Sequence, residues 1–410
     1  MDKAEYIVKL STAVYGGEAL GRLPDGRAVF VSFAIPGETV RIRLVEEKRG
    51  HARAELLEVL EPSPARQIPP CRHFGLCGGC HYQHIVYEEQ LAIKTAILRE
   101  QLERIGGLSG PPVEPCVAAS QTFRYRNYIQ FHLTPDGRLG YYQVDGLTIF
   151  PIQECLLPVE ALDSLWPQLD FEGMPEIERI GLRSGDDDDV QLILESSDVQ
   201  PPEIMVEDLP ISVAHLSPAG SLVLAGSPAL FISVTGRTFR VSAGSFFQVN
   251  SVLAGMMVEH IFSELELSKR LLALDVYCGV GLFSAFLADR VSRVVGIESS
   301  ASACEDFVFN LNEFENVELY EAPAEAVLPG LEIKPDLILV DPPRAGIDRR
   351  AMDGLLSLGA PVLVYISCDP ATLGRDARRL VQGGYRLEQI VPFDLFPQTS
   401  HIESISFWKR

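Results

Sequence analysis

An α/β region with a mainly parallel sheet, preceded by two β-rich parts, is the fold class this sequence predicts, and three observations predict it. From residue 271 onward, short apolar runs alternate with helical stretches, the pattern of βαβ units. Before residue 62, and again between 113 and 240, short alternating segments are punctuated by glycine turns, the texture of small barrels and antiparallel sheets. At 410 residues the chain exceeds what one hydrophobic core organises, so three regions, 1–62, 63–240 and 241–410, are expected.

In the first region, turns at Gly16-Gly17, Pro24-Asp25-Gly26, Pro36-Gly37 and Arg49-Gly50 separate alternating runs such as 28–31 and 39–45, which read as barrel strands. Glu61-Pro62-Ser63-Pro64 and Pro69-Pro70 form a linker. Tyr87, Leu91, Leu98, Leu102 and Ile105 then share one helical face over 87–105, which stops at Gly106-Gly107. Residues 113–240 return to strand-like alternation, with turns at Asp136-Gly137 and Asp145-Gly146 and a four-aspartate loop at 186–189. In the last region strands are expected at 271–276, 293–298, 317–320, 337–340 and 361–367, with helices between them. A closing antiparallel pair is expected at 385–392 and 402–408.

A net charge of −21 weighs against a polyanionic partner, because phosphate binding relies on Lys and Arg displacing counterions. The charge is unevenly spread: thirteen acids against two arginines between Asp170 and Asp208 supply −11 of it. Basic clusters remain at Arg41, Arg43, Lys48, Arg49, Arg53 and at Arg124, Arg126. No apolar run is long enough to span a membrane, and the first residues have no signal-peptide pattern, so a soluble, cytoplasmic protein without an obligate protein partner is expected. In that compartment eight cysteines point to metal binding, catalysis or burial instead of disulfides.

Leu274-Asp275-Val276-Tyr277-Cys278-Gly279-Val280-Gly281 ends the first strand of the parallel sheet and opens a helix, where glycines let the backbone turn tightly and approach a ligand. Glu298, seventeen residues beyond Gly281, ends the next strand and suits ribose hydroxyls. A nicotinamide dinucleotide would use the same elements, but its third glycine is missing, since Ser284 and Ala285 follow Phe283. Asp341-Pro342-Pro343-Arg344 falls at the carboxyl end of the fourth strand, where open α/β sheets bind ligands. Cys368 ends the fifth strand in Ser367-Cys368-Asp369-Pro370, where an immediate polar turn sets its thiol apart from a buried structural cysteine. Glu403 opens the last strand. Cys71, Cys77 and Cys80 cluster in a glycine-rich loop that Cys155 can complete; four thiolates suit zinc or an iron–sulfur cluster, and His73, His81 and His84 keep zinc open.

Ser-Cys-Asp-Pro-Ala-Thr-Leu at 367–373, Asp-Pro-Pro-Arg at 341–344, Phe-Phe-Gln-Val-Asn at 246–250 and His-Ile-Glu at 401–403 together resemble the RNA uracil-5-methyltransferase family, in the family's order and over almost the whole chain. The resemblance implies a Rossmann-like S-adenosylmethionine-dependent methyltransferase domain at 241–410. It also implies an OB-like, RNA-binding TRAM barrel at 1–62, carried by Gly16 to Gly21, Phe30-Val31 and Ile35-Pro36-Gly37-Glu38, with a central β-rich domain between the two. It makes Cys368 the nucleophile and Glu403 the general base, and places Gln248, Tyr277, Glu298 and Asp341, with Gly279 and Gly281, against S-adenosylmethionine. Phe246 is a candidate to stack on the target base, and Arg124-Tyr125-Arg126-Asn127-Tyr128 is a candidate RNA-contacting strand. The cysteine spacing resembles the loop of the family's ribosomal branch, which implies a [4Fe-4S] cluster on Cys71, Cys77, Cys80 and Cys155, in a structural or RNA-facing role because the loop is distant in sequence from the methyl-transfer motifs. It does not match the radical S-adenosylmethionine pattern, whose first gap is three residues instead of five. The implied partner is RNA, with 23S ribosomal RNA ahead of transfer RNA. Two other classes compete: an amino-group methyltransferase, which would carry an aromatic residue where Arg344 stands and would not need Cys368, and a non-catalytic RNA-binding protein with a degenerate fold, against which the joint presence of these residues argues.

Overall fold

A computed structural model describes residues 4–171, 174, 176–204 and 210–410. Strands β1 (Glu5–Ala13), β2 (Glu18–Arg22), β3 (Ala28–Ser32), β4 (Thr39–Glu47) and β5 (His51–Glu61) close into a barrel in the order β1-β2-β3-β5-β4. Alternation drives closure: Val8, Leu10, Val29, Val31, Val40 and Ile42 fill the interior while the intervening residues face out. Glu38 is fully buried, accepting hydrogen bonds from Ile35 N, Ser63 N and the Arg66 guanidinium, which ties the following linker to the barrel. The expected helix is α1 (Tyr87–Arg104), whose Ile93 and Ile97 pack towards the barrel side and whose Leu98 and Leu102 enter the core of the last region.

The central strands are β6 (Tyr128–Leu133), β7 (Leu139–Tyr142), β8 (Ile149–Pro151), then a short α2 (Glu160–Leu165), and β9 (Arg179–Ser184), β10 (Val190–Glu195), β11 (Ile211–Ser217) and β12 (Gly220–Ala225). They form one sheet, β12-β11-β10-β9-β6-β7-β8, antiparallel except for the β10–β11 pair. A separate hairpin, β13 (Ala229–Val234) and β14 (Arg237–Ser242), follows; Asp186 of the four-aspartate loop accepts from Ser233 N and Oγ at its edge.

The last region runs α3 (Ser251–Glu264), β15 (Leu272–Val276), α4 (Leu282–Ala288), β16 (Arg293–Glu298), α5 (Ala301–Asn310), β17 (Val317–Glu321), α6 (Ala324–Val327), β18 (Leu337–Val340), α7 (Arg349–Leu358), β19 (Val362–Ser367), α8 (Pro370–Gln382), β20 (Arg386–Phe393) and β21 (Glu403–Lys409). The expected strands are all present, with ends moved by no more than a residue. Their order is β17-β16-β15-β18-β19-β21-β20, the first five parallel and the last two antiparallel. Both faces are covered: Leu337 and Leu339 of β18 enter one core while Ile338 and Val340 enter the other. The order reverses beside β15 and β18, which makes their carboxyl ends the ligand-binding edge. The closing pair does not simply extend the edge. β21 inserts between β19 and β20, pairing with both. Among the described residues no helix is long and apolar enough to cross a membrane.

Candidate active site

The glycine loop leaves β15 through three left-handed positions, Tyr277 (φ 64°), Gly279 (φ 54°) and Gly281 (φ 92°). A Cβ on Gly281 would lie 2.4 Å from Leu311 Cδ1, so glycine is required there for both conformation and space. Glu298 shapes this loop: its carboxylate accepts from Gly279 N at 2.9 Å and from Ser299 N and Ser300 N at 2.7 Å. It remains half-exposed, with lone pairs left for a ligand. Behind the loop, buried Asp275 accepts from Ser284 Oγ at 2.6 Å, and burial pushes its carboxyl up to about 7 against that bond. Asp341 N donates to Val276 O, setting Asp341 beside the loop's start; burial, then the Asp275 charge, push it up to about 7 as well. Gln248 is buried between β14 and α3, where Gln248 O accepts from Asn127 Nδ2 and ties the segment to the central sheet. Neighbouring Phe246 is 68% exposed while Phe247 takes the core place, so Phe246 is not a core phenylalanine.

Cys368 and Glu403 are brought together by strand register. The β19–β21 ladder ends with Ser367 opposite Ser404, so Cys368 and Glu403 flank its last pair at the same end of the sheet, where the Glu403 charge acts on the Cys368 thiol. Glu403 is only 3% exposed. Burial, then the neighbouring Asp341 charge, hold it well above the carboxylate range, with Arg344 acting in the opposite sense. Burial, then the Glu403 and Asp341 charges, push the Cys368 thiol up to about 12, again opposed by Arg344. The Arg344 guanidinium also lies 3.0 Å from His401 Nδ1, and burial followed by this cation pushes His401 down to about 3, which keeps its ring neutral.

Cys71, Cys77, Cys80 and Cys155 line a single cavity of about 560 Å³, together with Arg126, Tyr141 and Gln143. Burial raises all four thiols, Cys80 to about 12 and Cys155 to about 11. Among the described residues no group of three or more His, Cys, Asp or Glu is placed to hold a single metal ion, while the four expected ligands share this one cavity. His73 is in the same lining; His84 instead packs against Phe33 and Phe74, and His81 against His401. The loop is not remote from the methyl-transfer motifs in space. His81 N and Tyr82 N both donate to Gln398 O, and Tyr125 OH donates to Pro397 O, on the segment that leads into Glu403. Arg124 to Tyr128 is not a continuous strand: β6 begins only at Tyr128, Arg124 is exposed and pairs with Asp163, and Arg126 faces the cysteine cavity and lies over Phe396.

The sequence model of the family described as tRNA (Uracil-5-)-methyltransferase matches residues 229–410, and that of the TRAM domain matches residues 5–57. An RNA methyltransferase of Streptomyces coelicolor, itself uncharacterized, is 36% identical across 98% of this chain and 92% of its own. Another from Aquifex aeolicus is 37% identical, covering 96% of both chains. The chain belongs to the RNA uracil-5-methyltransferase family. A solved structure, the tRNA (uracil-54, C5)-methyltransferase of Pyrococcus abyssi in complex with S-adenosyl-L-homocysteine, matches with a TM-score of 0.73 at 25% identity, covering 99% of this chain and 100% of the other. The protein is thus an S-adenosylmethionine-dependent RNA methyltransferase with a TRAM barrel.

Three features of this methyltransferase's site escape a linear reading. Arg344 was visible only as the residue after Asp-Pro-Pro, yet it is the cation shared by Cys368, Glu403 and His401. Lys94 of α1 and Asp394 are both fully buried and paired at 2.5 Å, and Lys94 Nζ also donates to Phe396 O. A lysine on the apolar face of α1 is the one signal that pointed to such a pair. Tyr15 of the barrel donates to Asp369, next to the nucleophile candidate, and no spacing in the sequence announces it.

Proposed function

We propose that this enzyme transfers a methyl group from S-adenosylmethionine to C5 of a uridine in RNA, with Cys368 bonded to C6 during the reaction and Glu403 removing the C5 proton. The observation that carries this reading is that a thiol and a buried carboxylate flank the last β19–β21 pair at the ligand-binding edge of the sheet, near enough for the Glu403 charge to act on Cys368. Uracil C5 is too weak a nucleophile to attack a sulfonium methyl group directly. Addition of the Cys368 thiolate to C6 converts the conjugated ring into an enolate with charge at C5, and the methyl group then moves there from sulfur. The C5 proton must leave before the thiolate is eliminated and the C5–C6 double bond restored, and a carboxylate held above its ordinary range is a stronger base for that step. Arg344 is placed to stabilise both the thiolate and the developing enolate.

Gly279 and Gly281 let the backbone approach the cofactor, Glu298 takes the ribose hydroxyls, and Tyr277, Asp341 and Gln248 complete its surroundings. Phe246, exposed beside buried Gln248, stacks on a uridine that has left its own stack. Arg344, Arg349, Arg350 and Arg375 are exposed along this edge and offset the acidic character of the chain where phosphates approach. Cys71, Cys77, Cys80 and Cys155 are the residues that would hold a [4Fe-4S] cluster, with zinc as the other occupant. The donor set fits: four thiols line one cavity, and their burial penalty as free thiolates is relieved when metal charge neutralises them. A cluster bound there would tie Cys71, Cys77 and Cys80 of the loop to Cys155 beside the central sheet. Residues 1–62, 63–240 and 241–410 act as the barrel, cluster-bearing and catalytic domains of a cytoplasmic enzyme.

The target we favour is a uridine in 23S ribosomal RNA, because the barrel and the cysteine loop occur together as in the ribosomal branch. Transfer RNA is the second reading, favoured by the whole-length likeness to the Pyrococcus abyssi tRNA enzyme. Mapping 5-methyluridine in both RNA classes, from cells with and without the gene, decides between them. For the mechanism, RNA containing 5-fluorouridine should stall as a covalent adduct, since fluorine at C5 cannot leave as a proton. The Cys368→Ala protein should form none, and an adduct in that variant refutes the nucleophile assignment. Anaerobically purified protein should be brown; a colourless, zinc-loaded sample rejects the cluster.

A further inference from the structure

We infer that Tyr15 of the N-terminal barrel is a positioning residue for methyl transfer, holding Asp369 and through it the Cys368 turn against Glu403. The inference rests on the assignment of Cys368 and Glu403 made above.

The β1–β2 turn is built to reach into the molecule. Gly16 and Gly17 have φ of 103° and 91°, and a Cβ on Gly17 would stand 2.9 Å from His81 Cβ. The turn is therefore pressed against the chain that follows the cysteine loop as closely as backbone allows. Tyr15 lies in this turn, half-buried, and its hydroxyl donates to Asp369 Oδ2 at 2.8 Å. The other oxygen of the same carboxylate, Oδ1, accepts from Ala371 N and Thr372 N at 2.9 Å and caps α8. One oxygen thus fixes the helix after the nucleophile and the other fixes the barrel. On the opposite side of Cys368, Ser367 is held in the β19–β21 ladder, and Asp369 N donates to Ser367 Oγ. Cys368 is bracketed between these two anchors.

The same barrel surface also supports the Glu403 side. Ala13, Tyr15 and Ile35 share a hydrophobic cluster with Ile402, immediately before Glu403, and with Ile93 and Ile97 of α1. Both halves of the thiol–carboxylate pair are therefore seated on one element, the β1–β2 turn and its neighbours. A barrel whose only task was to grip RNA would have no need of a hydrogen bond to the residue beside the nucleophile. Small displacements at a reacting group are expensive in rate, so loss of this bond reads out in chemistry more than in affinity.

The test is a double-mutant cycle on the full-length protein, run well below the thermal midpoint of every variant. Tyr15→Phe, Asp369→Ala and the double variant are compared for RNA affinity, for single-turnover methyl transfer at saturating RNA, and for the rate of covalent capture of 5-fluorouridine RNA. Tyr15→Phe should slow transfer and capture roughly tenfold while RNA affinity stays within about twofold. The same Tyr15→Phe change should add nothing in the Asp369→Ala background, because the bond is already gone. Asp369→Asn, which keeps an oxygen for the cap and an amide for the hydroxyl, should stay near wild type. Unchanged rates in Tyr15→Phe, a loss confined to RNA affinity, or additive losses in the cycle would each overturn the inference. Failure of the underlying reading looks different: adduct in Cys368→Ala, or none in the wild-type protein, with Tyr15 irrelevant to either.

Discussion

Replacing Lys94 by methionine removes the cation from a pair that the fold seals completely. Lys94 Nζ lies 2.5 Å from Asp394 Oδ1 and 3.1 Å from Phe396 O, and both side chains have no exposed surface. Methionine fills nearly the same volume, so the dominant change is a carboxylate left in the core without its counter-charge. Breaking a buried pair in this way destabilises by about 3–5 kcal/mol. Set against a total stability of about 5–15 kcal/mol, that is a large fraction. Urea unfolding followed by tryptophan fluorescence is a direct assay, because Trp408 is fully buried in β21. With a urea dependence of about 1–3 kcal/mol per molar, the midpoint should fall by roughly 1 M or more. The double variant Lys94→Met, Asp394→Leu should recover over half of the loss, since no charge remains to be buried. Residues 394–402 lead into Glu403, so the single variant should also slow methyl transfer. A midpoint within about 0.3 M of wild type, or a double variant no better than the single one, would refute this account of the pair.

Glu403→Gln should slow overall turnover by about 10²–10⁴ and accumulate covalent enzyme–RNA adduct on ordinary uridine RNA, visible on denaturing gels; normal turnover would exclude Glu403 as the base. Gly281→Ala should destabilise by about 2–4 kcal/mol, because it combines a left-handed φ with a 2.4 Å approach to Leu311. S-adenosylmethionine affinity should fall with it, and equilibrium dialysis showing wild-type binding would count against the loop assignment. Cys368 is pushed up to about 12 and Glu403 is raised, so deprotonation of both favours reaction as pH increases. Single-turnover rates should therefore climb between about pH 6 and 9 without a falling limb. Arg344 lowers both groups, so Arg344→Ala should displace the profile to higher pH; a profile unmoved by that change would remove Arg344 from the site's electrostatics.

Much of this molecule is determined locally and so was present in the sequence. The alternation of Val29, Val31, Val40 and Ile42 commits 1–62 to strands that bury one face, and the apolar runs of β15, β16, β18 and β19 commit the last region to a sheet covered on both sides. Gly279 and Gly281 sit where the chain must turn through positive φ, a constraint that residue type alone reveals. Short segments carry their own periodicity and turn chemistry, so strands, loops and cofactor glycines could be placed before any contact was known. Tertiary structure decided what those segments meet. Nothing local tells β21 to insert between β19 and β20, yet that insertion brings Glu403 to the same end of the sheet as Cys368, thirty-five residues away in the chain. The same holds for Tyr15 on Asp369, separated by 354 residues, and for Lys94 on Asp394, separated by 300. Strand order and domain seating are settled by burial summed over the whole chain, and no window of sequence contains that sum.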